Sequence, residues 1–190
     1  MTWLVLGLVL FLGIHSVSIF SPAGRDRLAV SVGPMGWRAL YSILSIAGFV
    51  LVIWGFGVAR QQPTLLYQPQ PWMRQLAGVL MLPVFPLLFA AYLPGRIKMA
   101  MKHPMLVAVK LWAFAHLLAN GTLADVVLFG SFLAWAVFDR ISFKSRTQRA
   151  IPSAPASRWN DLIAVVLGLG VYVLFVSVLH TKWIGVPVMP

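Results

Sequence analysis

Six long apolar stretches constrain the fold of this chain more than any other feature of its sequence. Each runs for roughly 15–23 residues with almost no charge, against the ~20 residues that a helix needs to cross a bilayer. We place these stretches at residues 2–20, 37–59, 75–92, 104–119, 123–138 and 160–179. The pattern predicts an all-α fold, a polytopic bundle of six membrane-spanning helices.

The composition excludes an ordinary soluble domain. Hydrophobic residues make up 60% of the chain and charged residues 10%, whereas soluble domains carry about 25% charged residues. The net charge of +11 would suit a nucleic-acid partner, but the basic residues lie between the apolar stretches. We therefore expect the lipid bilayer, and no nucleic acid, as a partner. The chain has no cysteine and no glutamate, which excludes thiolate chemistry and leaves few carboxylates for acid–base catalysis.

The basic residues also predict the orientation of the helices. Eleven Lys and Arg residues lie in the loops after the first, third and fifth stretches, and three lie in the loops on the other side. Cytoplasmic loops carry such an excess of positive charge. Both termini should therefore face the non-cytoplasmic side.

Three shorter features organise the chain within one predicted domain, residues 1–190. Pro83 and Pro86 predict a kink in the third stretch, because a proline ring cannot donate to the helix ladder. Residues 120–122 predict a tight hairpin between the fourth and fifth helices, with Thr122 and Asp125 capping the latter. The polar segment 139–159 is expected to be a cytoplasmic linker.

Two histidines at membrane depth are the strongest candidates for a functional site. Polar side chains are costly within a bilayer and often mark function there. His15 lies in the first stretch and His116 in the fourth, roughly 8–13 Å and 18 Å from the predicted cytoplasmic helix ends. Two neutral imidazoles on different helices are a natural axial pair for a haem iron. The alternative is that both are core residues of packed helices.

Other residues of the fourth stretch could belong to the same site. Trp112, His116 and Asn120 are spaced i, i+4, i+8 and share one helix face. The tryptophan and the amide would wall a planar ligand or orient the imidazole, or else serve helix packing. Lys110 would meet a haem propionate or extend toward the cytoplasmic surface.

The residues around these candidates resemble those of the NnrU family. The resemblance rests mainly on Lys-His-Pro-Met at residues 102–105 and on the block 111–121, and secondarily on Gly-Ile-His-Ser at residues 13–16. The family is named for a bacterial membrane protein associated with denitrification and includes the zeta-carotene isomerase of plants and cyanobacteria. It implies a single NnrU-like transmembrane domain in the bacterial inner (cytoplasmic) membrane.

The resemblance also implies a cofactor. The isomerase holds haem b between two histidines, whose motifs fall on His15 and His116, and the Lys-His-Pro motif gives His103 a supporting role. That isomerase has a cysteine three residues before the second histidine, where this chain has Ala113. The resemblance implies either nitrogen-oxide redox metabolism or haem-dependent cis–trans isomerisation of a lipophilic polyene, a small-molecule substrate. Whether the chain is an enzyme stays open.

Two alternatives come from other classes of protein. One is a non-catalytic accessory protein of the membrane, with protein partners that the sequence does not identify. The other is an S-adenosylmethionine-dependent membrane methyltransferase, because residues 102–104 are similar to the Arg-His-Pro motif of such enzymes. Those enzymes typically use glutamates in cofactor binding, and this chain contains none.

Overall fold

A computed structural model describes residues 1–146 and 151–188, and within these ranges the regular structure is helical. Nine α-helices are present in the described part of the chain, and the last continues into a π-helix, Phe175–Ile184. The α-helices are α1 (Thr2–Phe20), α2 (Pro22–Ser31), α3 (Gly33–Ala59), α4 (Pro71–Met81), α5 (Val84–Ala90), α6 (Arg96–Met101), α7 (Pro104–Ala119), α8 (Leu123–Ser142) and α9 (Asn160–Leu174). The all-α prediction is confirmed.

Four of the helical segments are long and apolar enough to cross a membrane. They are α1, α3, the α4–α5 segment and α9 with its π-helix. Helix α7 is apolar but has only 16 residues. Helix α8 has 20 residues but carries Asp125, Asp139 and Arg140. The six predicted spans therefore reappear as helical segments, four of which meet both the length and the composition of a membrane span.

The predicted boundaries are accurate where a proline or a cap ends the apolar pattern. Helices α1 and α7 begin and end at the predicted residues. The capping box predicted for α8 is present, with the Thr122 side chain accepting from the N–H of Asp125. Helix α3 begins at Gly33 rather than residue 37, because Pro34 favours the first helical turn.

The third predicted helix is divided in two, as its prolines require. Helix α4 ends at Met81 and α5 begins at Val84. Pro83 cannot donate to the carbonyl of Val79, which instead accepts the N–H of Leu82 at 3.2 Å. The hydroxyl of Tyr172 donates to a neighbouring carbonyl, that of Gly78, at 3.1 Å. The predicted kink is thus present, and one freed carbonyl has a partner within the helix.

Two short helices and one helix extension lie where the sequence predicted loops. Helices α2 and α6 are too short and too polar to produce an apolar stretch. Helix α8 continues to Ser142, so the linker begins after residue 142 rather than at 139. The linker's residues 147–150 lie outside the described residues. The sixth helix ends later than residue 179, since its last part is a π-helix that continues to Ile184.

The contacts between residues divide the chain into two compact units, and that the chain is one domain stays a prediction. Unit 1 comprises residues 1–70 and 116–148, and contains α1, α3 and α8. Helices α1 and α3 are antiparallel and approach very closely at glycines. A Cβ added to Gly55 would lie 2.4 Å from the backbone nitrogen of Leu4, and one added to Gly48 would lie 2.7 Å from that of Phe11. Such close approach provides the packing that holds helices together in lipid.

Helix α8 is parallel to α1. The rings of Phe11 and Phe132 have centroids 5.7 Å apart, and those of His15 and Trp135 are 6.0 Å apart. Residue numbers therefore increase in the same direction along α1 and α8. The three helices of unit 1 therefore alternate in direction as the predicted topology requires of the first, second and fifth spans.

Unit 2 comprises residues 71–115 and 149–190. Helix α5 packs against α9, where a Cβ added to Gly168 would lie 2.3 Å from the nitrogen of Pro86. Asp161 accepts the backbone N–H groups of Arg96 at 2.8 Å and Ile97 at 3.1 Å. The start of α9 is thereby joined to the start of α6.

The glycine contact between α1 and α3 predicts a position-specific sensitivity to a single methyl group. Gly55→Ala should lower the free energy of unfolding by about 1–3 kcal/mol, because the methyl group would overlap the backbone of α1. Gly57→Ala is the matched control, since a Cβ there meets nothing within 4 Å. Thermal unfolding in detergent measures both variants, and equal stability of the two would contradict the packing.

Candidate functional site

His15 lies on α1, a little more than one turn before the helix ends. Its ring atom Nδ1 is 2.7 Å from the carbonyl oxygen of Phe11, one turn earlier. A carbonyl only accepts hydrogen bonds, so Nδ1 donates and carries the proton. The lone pair of the neutral ring therefore lies on Nε2, the tautomer of a histidine that binds a metal through Nε2.

Aromatic rings from three helices surround His15. The ring centroid of Phe11 is 4.3 Å from that of His15, and the ring of Tyr41 on α3 is 5.2 Å away. Trp135 on α8 meets the imidazole at 6.0 Å in an edge arrangement, with 88° between the planes. This environment keeps the imidazole half-buried at one level of unit 1.

A polar cluster, consisting of Trp135, Asp139 and Arg146, lies beside this aromatic environment. Asp139 is 7% exposed and forms an ion pair with Arg146, which follows the end of α8. Trp135 Nε1 and Arg146 Nε are both buried and have no hydrogen-bond partner in the described part of the chain. The sequence alone does not reveal this cluster, although Trp135 and Asp139 have the i, i+4 spacing of one helix face.

His116 lies in the last turn of α7 and belongs to the same unit as His15. Its ring stacks on Phe129 of α8, with centroids 4.6 Å apart. The side-chain amide of Asn120 donates to the backbone carbonyl of His116 at 3.0 Å. Asn120 therefore closes the end of the helix through this amide contact.

The described contacts of the two histidines lie at different levels of α8. Phe129, which contacts His116, and Trp135, which contacts His15, are six residues apart on α8, about 9 Å along the axis. The described rings within contact of His15 are those of Phe11, Tyr41 and Trp135. Two imidazoles that share one metal need ligating nitrogens roughly 4 Å apart, from bond lengths of about 2 Å. The tautomer of His15 fits an iron ligand, and shared ligation with His116 stays a prediction.

The remaining candidates lie in unit 2. Trp112 packs against a core cluster that includes Val84 and Leu87. His103 follows Lys102, whose φ of +58° is rare for a residue with a side chain. The N–H of His103 donates to Met101 at 2.6 Å across this turn. The Lys-His-Pro motif therefore forms a tight turn before α7. Lys110 lies within α7 and is half-buried.

Tyr67, which the sequence analysis did not single out, closes the other end of α7. Its hydroxyl donates to the backbone carbonyls of Leu117 and Asn120, the latter at 2.6 Å. Partial burial, and to a lesser extent the Asp125 carboxylate, raise the pKa of Tyr67 above its ordinary range. The phenol therefore remains protonated and able to donate at physiological pH. Gly121 lies against Tyr67 so closely that no side chain could replace its hydrogen.

The sequence profile of the family described as NnrU protein matches residues 3–188. The chain belongs to the NnrU family. The resemblance inferred from the histidine motifs is thereby confirmed. No curated protein and no solved structure matches the chain.

Two parts of the motifs that carried the resemblance lie at the two ends of α7. The Lys-His-Pro motif forms the turn before the helix. The Asn120–Gly121 pair forms the hairpin after it, where Leu66 and Tyr67 donate their N–H groups to Gly121. In this NnrU protein, both turns have a direct role in fixing the start and the end of the helix that carries His116.

Removal of the Tyr67 hydroxyl should destabilise the end of α7. Tyr67→Phe deletes the donor to two carbonyls while keeping the ring, and should lower the free energy of unfolding by about 1 kcal/mol. Tyr92→Phe is the control, since Tyr92 is exposed and no side-chain hydrogen bond of it is described. Denaturation in detergent compares the two, and an effect of Tyr92→Phe equal to that of Tyr67→Phe would refute the role of the hydroxyl.

Proposed function

We propose that this NnrU-family protein is a six-span protein of the bacterial inner membrane that binds haem b in unit 1 through His15. Family membership and the apolar helices support a multi-pass membrane protein. The alternating directions of α1, α3 and α8 agree with the order of the proposed spans, and we propose that both termini lie on the non-cytoplasmic side. The eleven basic residues in loops of one side support the same orientation.

The hydrogen bond from His15 Nδ1 to Phe11 is the observation that carries the haem proposal. This hydrogen bond holds the imidazole in the tautomer whose Nε2 can bind iron. The backbone carbonyl of Phe11 is then the hydrogen-bond partner of the other ring nitrogen. Phe11, Tyr41 and Trp135 surround the imidazole and limit the access of water to it. Haem b would supply one-electron redox chemistry or activation of a bound molecule.

The sequence predicts His116 as the second ligand, but its ring is engaged with Phe129 and is not a ligand in this proposal. It now stacks on Phe129, about 9 Å along α8 from the level of Trp135. We therefore assign ligation to His15 in the arrangement described, and treat His116 as a separate question for experiment. Trp112, Asn120, Lys110 and His103 are supporting residues of α7 and its turns, with no assigned contact to the haem.

Between the two reactions, we propose nitrogen-oxide redox metabolism rather than isomerisation of a polyene. Ala113 is fully buried and stands where the isomerase has its cysteine. The chain has no cysteine at all, so exchange between a histidine and a thiolate ligand is impossible in it. A haem that reacts with a small diatomic molecule needs an open coordination position on the iron, and it does not require a thiolate ligand.

Absorption spectroscopy of the purified protein after haem-replete expression tests the cofactor and its ligand. The wild type should retain a Soret band through washing, His15→Ala should lose it, and His116→Ala should keep it. His180→Ala is the matched control, because the ring of His180 also bonds a backbone carbonyl, that of Val186 at 2.6 Å.

Three other spectral results would contradict the proposal or its ligand assignment. A colourless, folded wild type would refute haem binding and favour the accessory protein. Loss of the band in both His15→Ala and His116→Ala would establish the bis-histidine pair, and would refute ligation by His15 alone. Binding of S-adenosylmethionine to the colourless protein would instead support the methyltransferase.

Ligation by His15 alone predicts an open position on the iron. The reduced protein should therefore bind carbon monoxide rapidly, with a clear shift of the Soret band. The His116→Ala variant should show the same shift, because His116 is not a ligand in this proposal. A wild type that resists carbon monoxide and a variant that binds it would contradict the assignment.

A further inference from the structure

Helix α6 lies where the two longest apolar segments of unit 2 come together. The α4–α5 segment ends at Ala90, shortly before α6 begins, and α9 begins at Asn160. The side-chain amide of Asn160 donates to the carbonyl of Pro94 at 2.8 Å, and Asp161 binds the first N–H groups of α6. Both apolar segments span the membrane in the proposed function. Helix α6 and the start of α9 therefore lie at one surface of the bilayer.

Four basic side chains are concentrated at this junction, those of Arg96, Lys98, Lys102 and Arg158. Arg96 begins α6 and Lys102 follows its end, so the two lie about 9 Å apart along the helix axis. Both side chains are exposed. The amine of Lys98 donates to Oγ of Ser153 at 2.9 Å. This hydroxyl is neutral, so the charge of Lys98 is not compensated by it.

The carboxylate of unit 2 does not neutralise these cations. Asp161 is the one acidic residue of the unit. Its two oxygens accept the backbone N–H groups of Arg96 and Ile97 rather than a charged group. The two ion pairs among the described residues both belong to unit 1. The junction therefore keeps a concentrated positive charge, which favours an anionic partner at the membrane surface.

Exposed apolar side chains lie among the cations. Met99 of α6 is 71% exposed, and Trp159 is 53% exposed. The guanidinium of Arg158 lies over the indole of Trp159, 4.9 Å from the ring centroid. Indole rings are enriched at the headgroup level of a bilayer, where one side is wet and the other apolar. An inorganic anion would leave these apolar groups in water, whereas a lipid would cover them.

We propose that the junction of α6 and α9 binds an anionic phospholipid, with the lipid phosphate at Arg96 and Lys102 and the glycerol region against Met99 and Trp159. The guanidinium and the ammonium are the groups that proteins use to bind phosphate. A zwitterionic lipid carries a cationic group that the same side chains repel. The proposal rests on the membrane spans of the proposed function and not on its haem, so loss of lipid binding would leave the Soret band unchanged.

Equilibrium binding of tail-labelled lipids to the full-length protein in detergent micelles tests the proposal. Phosphatidylglycerol should bind saturably and at least tenfold more tightly than phosphatidylcholine with the same tails. The double variant Arg96→Gln/Lys102→Gln should lose most of this preference, because each cation near an anionic lipid surface contributes roughly fivefold in affinity. A rise in salt concentration should weaken the preference of the wild type in the same direction.

The matched control removes two positive charges from the opposite ends of the same segments. Arg74 lies in the first turn of α4 and Lys182 near the end of the π-helix. Arg74→Gln/Lys182→Gln has the same net charge as the first double variant. It should keep the preference for phosphatidylglycerol, because neither side chain belongs to the junction.

A second variant tests the apolar part of the site. Trp159→Ala should weaken the binding of both lipids by the same factor and leave the preference between them unchanged, because the indole contacts the uncharged part of the lipid. Trp72→Ala is the control, since Trp72 is 56% exposed at the start of α4 and should not affect binding at the junction.

Three results would overturn the proposal. The first is equal affinity of the wild type for the two lipids. The second is an equal loss of preference in the two double variants, which would mean that net charge alone attracts the lipid. The third is displacement of phosphatidylglycerol by inorganic phosphate at millimolar concentration, which would mean that the junction binds a free anion. Circular dichroism of each variant separates lost binding from lost folding.

Discussion

The close contact between the backbones of α1 and α3 is the interaction on which unit 1 depends. Lipid tails are as apolar as the helix surfaces, so helices in a membrane associate through packing rather than through the hydrophobic effect. Gly48 and Gly55 permit that packing at two levels of the contact. The same contact places Tyr41 of α3 beside His15 of α1. The environment of His15 thus depends on two glycines that have no functional side chain.

The few charged side chains show how little of this chain is available for catalysis. Each of the four aspartates has a partner: Asp26 pairs with Arg25, Asp125 caps α8, Asp139 pairs with Arg146 and Asp161 binds the start of α6. These contacts stabilise helix ends and loops. Each carboxylate thus has a structural contact, and the haem proposal relies on the imidazole of His15 instead.

Three helices of unit 1 contribute to the environment of His15. Phe11 of α1, Tyr41 of α3 and Trp135 of α8 contact its imidazole. Because the imidazole is half-buried among these rings, a ligand bound at its Nε2 would displace little water and would be held by a directional contact.

The sequence alone determined the helical class, the apolar stretches, the exact bounds of α1 and α7, the capping box of Thr122 and the NnrU resemblance. Helix propagation, proline positions and caps act within a few residues, so local sequence is enough to specify them. Only the tertiary structure decided that His116 stacks on Phe129 while His15 faces Tyr41 and Trp135. It alone also revealed Tyr67 at the end of α7 and the pair of Asp139 and Arg146. Such contacts depend on the rotation and level at which helices pack, and the periodicity of one helix does not contain either quantity.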